Sequence, residues 1–138
     1  MHIIRLFLVV VAGFFIVGNA YASSSEEEPS EGSVEYVKLD PLVLPIIDQD
    51  GVYQVLSLAV VIEVGGVSDA EKIKAKAPRL KDAYIQDMYG ILNENAALKG
   101  GVVQVNIIKK RLNYITNEVM GDDVETEVLL QVVQQRPI

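Results

Sequence analysis

From Val34 onward the hydrophobic positions follow two alternating periods, and each change of period marks an element. Tyr36 to Ile47 reads as a first extended segment; Pro41 and Pro45 cannot donate to a β-ladder, so the pattern predicts an edge strand or a bulge there. Asp48-Gln49-Asp50-Gly51 supplies turn chemistry. Val52 to Val64 is the clearest strand: Leu56, Leu58, Val60, Ile62 and Val64 line one face, with Tyr53, Ser57 and Glu63 on the other. Two extended segments joined by a polar turn predict a hairpin.

The period then changes to three and four. Ser68-Asp69-Ala70-Glu71 has the spacing of a capping box, which predicts a helix start. Ile73, Ala77, Leu80, Tyr84, Met88 and Ile91 follow as one buried stripe. Pro78 lies inside the stripe and removes one hydrogen bond, yet the stripe keeps its phase across it, so a kink is expected rather than two helices. Lys99-Gly100-Gly101 breaks the chain; Val105, Ile108, Leu112, Ile115 and Val119 predict a second helix, stopped by Gly121. From Val124 the period returns to two, with Val124, Thr126, Val128, Leu130 and Val132 on one face and Glu125, Glu127 and Gln131 opposite.

The order β-β-α-α-β predicts an α+β domain, an antiparallel or mixed sheet of three or more strands with two helices on one face. Residues 34–138 suffice for one such domain and one core. Residues 23–33, from Ser23 to Ser33, carry no apolar side chain and read as a disordered acidic linker.

Ahead of the linker, His2 and Arg5 form a short basic stretch, and Leu6 to Ala22 is free of charge. This layout reads as a signal peptide over residues 1–22, with Ala20 and Ala22 as the small residues of a cleavage site. An uncleaved anchor is the other reading, since Ile3 to Ala22 spans about the twenty residues a bilayer helix needs. Both leave Arg5 inside and put the domain outside. Cleaved, the chain is expected in the periplasm; uncleaved, it hangs from the cytoplasmic membrane.

Removing that segment leaves 11 Lys and Arg against 19 Asp and Glu, and so acidic a domain repels nucleic-acid phosphates. The chain has no cysteine and its one histidine is His2, which excludes disulfides, thiolate ligands and His-based triads from the exported part. The acidic stretch Asp122, Asp123, Glu125 and Glu127 lacks calcium-loop spacing and reads as a solvated approach to a strand. No catalytic residue, metal or cofactor is expected. Gly65-Gly66 and Gly100-Gly101 stand outside any phosphate-loop pattern and read as turns.

Lys72, Lys74, Lys76, Arg79 and Lys81 gather five basic residues on the first helix. Lys72, Lys76 and Arg79 share one face at steps of four and three, which makes them the candidate interaction residues; a merely solvated helix face is the alternative.

Tyr36-Val37-Lys38-Leu39-Asp40-Pro41-Leu42-Val43-Leu44, the strand Leu56 to Val64, the helical segment Pro78-Arg79-Leu80-Lys81-Asp82-Ala83 and the closing strand Val124 to Gln134 together resemble the flagellar basal-body-associated FliL family. The resemblance spans residues 34–134 and implies a non-enzymatic, membrane-associated protein with a domain similar to the stomatin and prohibitin fold. It further implies self-association, contact with flagellar stator and basal-body proteins, and a part in motility and chemotaxis. The sequence departs from the family at Ala20-Tyr21-Ala22, which invites cleavage of the anchor, and at Pro45. A periplasmic ligand-binding module, or a scaffold of another envelope complex, is the alternative function.

Overall fold

In the computed structural model the described residues are 32–94 and 96–138. The expected targeting segment with Ala20 and Ala22, and residues 23–31 of the acidic linker, lie outside them.

The fold is α+β with an antiparallel sheet and two helices. The first extended segment is divided into β1 (Glu35–Lys38) and β2 (Leu42–Asp48), and β3 follows at Gly51–Val64. β1 pairs with Val61 to Val64 and β2 with Gly51 to Leu58, while β6 (Thr126–Pro137) pairs with β3 from Gln54 to Val64. Because β6 fills one side of β3 along nearly its whole length, β1 and β2 share the other side as one strand interrupted at residues 39–41. Leu39 bridges the interruption, its amide donating to the Val60 carbonyl at 3.0 Å. Proline thus falls on an edge, where a missing donor costs no ladder bond.

Helix α1 (Val67–Asn93) is continuous through Pro78. The capping box does not form. The helix starts one residue before Ser68, with Gly66 as its N-cap; the Ala70 amide donates to the Gly66 carbonyl at 3.0 Å, and Ser68 falls within the first turn, past the capping position. A short hairpin of β4 (Leu98–Lys99) and β5 (Val102–Val103) turns through Gly100 and Gly101, both at positive φ, where a side chain would be strained. α2 (Val105–Met120) follows and ends at Gly121 as expected, with φ 81°.

Both helices cover one face of the sheet. Leu42, Leu44 and Ile46 of β2, Leu56 to Val64 at alternate positions of β3, Ile73, Leu80, Tyr84 and Met88 of α1, and Ile108 and Leu112 of α2 form a single core. Two expected stripe positions depart from it: Val105 is 43% exposed at the first turn of α2, and Val132 is exposed on β6. The second departure has a clear cause. Ala59 pairs with Val132 but Val60 pairs with Leu130, so Gln131 is an extra residue and the alternation inverts beyond it. Val133 replaces Val132 against the core.

Candidate interaction surfaces

The basic stretch of α1 is less free than its sequence implies. Lys72 pairs with Asp69 at 2.7 Å and Lys74 with Glu71 at 2.7 Å, both one turn back on the same helix. Lys81 reaches Asp40 in the break between β1 and β2 at 3.5 Å. Lys76 spans to α2, its ammonium donating to the Val119 carbonyl at 3.2 Å in the last turn, where helix carbonyls lack partners and carry partial negative charge. Arg79 is exposed and makes no ion pair among the described residues. Of the three candidate residues, Lys76 therefore serves the helix–helix contact, while Lys72 and Arg79 face solvent.

Between the helices, the Arg111 guanidinium donates to both carboxylate oxygens of Asp87 and lies 5.1 Å from the ring centre of Tyr114. The Asp87 hydrogen bonds raise the affinity of Arg111 for its proton. Beneath them Tyr84 and Thr116 share a buried hydrogen bond of 2.5 Å, and Thr116 donates to the Leu112 carbonyl at 2.7 Å. Burial pushes the Tyr84 hydroxyl up to about 12.

The acidic stretch is dispersed. Glu127 is held by Lys109 of α2 at 2.9 Å, Asp122 and Asp123 are exposed, and no group of three or more His, Cys, Asp or Glu side chains converges among the described residues. Open clefts occur at both ends of the sheet. One, of about 490 Å³, is lined by Val34, Glu63, Asn113, Glu125 and Thr126. The other, of about 500 Å³, lies between the β2–β3 turn and the end of α1 and is lined by Tyr53, Tyr89 and Asn93.

The sequence reading missed the face of the sheet that the helices leave bare. Residues opposite one another in an antiparallel ladder share a face, so Tyr36, Val43, Val55, Ala59, Val61, Leu129 and Val132 all point away from the core. Val43 is 63% exposed there, whereas Val61 at the middle is only 3% exposed, screened by its neighbours. The signal was present in Leu58-Ala59-Val60-Val61-Ile62, which runs without a polar residue as strands covered on both faces do. Among the described residues no helix is long and apolar enough to cross a membrane. No protein-family model matches the chain, and no curated protein matches it either.

Proposed function

We propose that this chain is an exported, non-enzymatic component of the bacterial flagellar motor, acting by self-association and by contact with stator and basal-body subunits. What carries the reading is the way the stretches that resemble the FliL family stand together. β1 and β2 flank one side of β3 and β6 the other, and Lys81, in the Pro78-to-Ala83 stretch, meets Asp40 of the first stretch across 3.5 Å. Four segments scattered over about 100 residues of sequence thereby form one side-by-side unit, as expected if they descend from one domain similar to the stomatin and prohibitin fold.

The proposed residence is the periplasm after cleavage behind Ala22, or the cytoplasmic membrane if the segment stays as an anchor; no cofactor is involved. Two surfaces are available for contacts, the bare sheet face and the exposed cations Lys72 and Arg79 on α1. Fractionation tests the topology. The wild type should be found with the periplasm or envelope, and Val10→Asp, which breaks the apolar run of the targeting segment, should strand the full-length chain in the cytoplasm. A wild-type chain that is itself cytoplasmic would end the proposal.

A further inference from the structure

The cleft between the β2–β3 turn and the end of α1 is built around two tyrosines from different elements. A β-bulge supplies the first. Ile46 pairs with Gln54 and Ile47 with Val52, so Tyr53 is the extra residue of β3, and such a residue escapes the alternation of its strand. Tyr53 accordingly packs against the core and lines the cleft together with Tyr89 of α1, which is 49% exposed. Tyr114 has Arg111 over its ring, but among the described residues neither Tyr53 nor Tyr89 carries a cation of its own chain. The polar groups around the two rings leave one anionic acceptor. Asn93 is spent at both ends, its oxygen on the Ile47 amide and its nitrogen on the Tyr89 carbonyl. Asp48 accepts from the Asp50 amide with one oxygen at 2.8 Å and keeps the other. Gln49 adds a neutral amide, and no Lys or Arg is among the described residues that line the cleft.

We propose that this cleft binds a small alkylammonium ion. Aromatic faces attract a cation, the remaining Asp48 oxygen accepts from its N–H groups, and Ile47 gives its alkyl part an apolar wall. An anion is disfavoured, because Asp48 and Asp50 charge the turn negatively and the exported part as a whole carries 19 acidic against 11 basic residues. A sugar is disfavoured too, since its many hydroxyls need several side-chain partners and Asn93 is committed to holding the fold. The volume of about 500 Å³ lies within the range of small-molecule sites. Because the cleft is open to water, the attraction is that of exposed cation–π contacts and the binding is weak. The inference stands on this cleft alone and does not depend on the motor reading.

Butylammonium chloride titrated into the full-length chain should shift the ring resonances of Tyr53 and Tyr89 with a saturating, millimolar dependence that sodium chloride at the same ionic strength does not reproduce. The neutral analogue n-butanol has the same alkyl chain without the charge. It should bind about tenfold or more weakly, because the cation–π and carboxylate contacts are lost together. Tyr89→Leu exchanges one exposed apolar side chain for another, and Asp48→Asn keeps an acceptor for the Asp50 amide, so both should fold with an unchanged melting temperature. Each should weaken butylammonium binding about threefold. Three results would each overturn the proposal: no saturating shift at Tyr53 and Tyr89, equal affinity for n-butanol, or an unaltered butylammonium affinity in both variants.

Discussion

Asn93 of α1 and Asn113 of α2 hold the two edges of the sheet in the same way. The Asn93 side-chain oxygen accepts from the Ile47 amide on β2 at 2.8 Å, and that of Asn113 accepts from the Val128 amide on β6 at 2.8 Å. Each amide nitrogen donates back to the carbonyl four residues earlier in its own helix, Tyr89 at 2.8 Å and Lys109 at 3.0 Å. Unpaired amides along an edge invite other strands, so each asparagine both seats its helix and occupies a donor that would otherwise be open. Asn93→Ala and Asn113→Ala should each cost about 1–3 kcal/mol in denaturant melts, the cost of leaving such a donor unpaired. Asn113→Asp keeps the acceptor and should cost less. Equal stability of Asn113→Ala and wild type would show that the bond is incidental.

Leu58 and Leu80 face each other's layers of the core and are 1% and 0% exposed. Truncating either to Ala should cost ~2–5 kcal/mol, enough to unfold much of so small a domain. Thermal melts check this, and an unchanged midpoint in both variants would contradict the assigned faces.

The buried Tyr84 hydroxyl gives the fold a dependence on high pH. Its value in the folded state is about 12, against 10.0 for an ordinary tyrosine, so the protonated form is favoured by folding. That contribution is complete below pH 10 and is lost as pH rises from 10 towards 12. Wild type should therefore lose about 1 kcal/mol more than Tyr84→Phe between pH 10 and 11. The variant leaves Thr116 its bond to the Leu112 carbonyl, so it should fold. Parallel stability curves for the two proteins would refute the coupling.

The two-residue period identified the central strand, the three-and-four period the Leu80 and Leu112 faces of the helices, and glycine the stop at Gly121, because each follows from local pattern. What it missed depends on pairing. The extra residue Gln131 is visible only against β3, and it moves Val132 from the core face to the bare one. The helix start moved because Gly66, not Ser68, occupies the capping position. For the candidate surface, the run of cations was legible but their partners were not. Asp69, Glu71 and Asp40 absorb three of the five, and Lys76 turns out to bind the end of another helix.

Charge reversal along α1 should accordingly split by position. Lys72→Glu and Arg79→Glu exchange exposed groups and should each change stability by less than about 0.5 kcal/mol. Lys76→Glu sets a carboxylate against the carbonyl end of α2 and should cost about 1–2 kcal/mol, a drop of several degrees in melting temperature. Equal melting temperatures for all three would show that the contact with Val119 contributes nothing. Should Lys72→Glu with Arg79→Glu impair swimming at an unchanged melting temperature, a lost contact is responsible, not a lost fold.

The motor assignment is tested most directly by rotation speed in cells lacking the gene. A protein that supports stators acts on torque rather than on filament assembly. The deletion strain should therefore keep its filaments yet swim or swarm more slowly, and tethered cells should rotate at reduced torque, restored by the wild-type gene. Filamented cells that swim at wild-type speed and rotate at full torque without the protein would contradict the assignment.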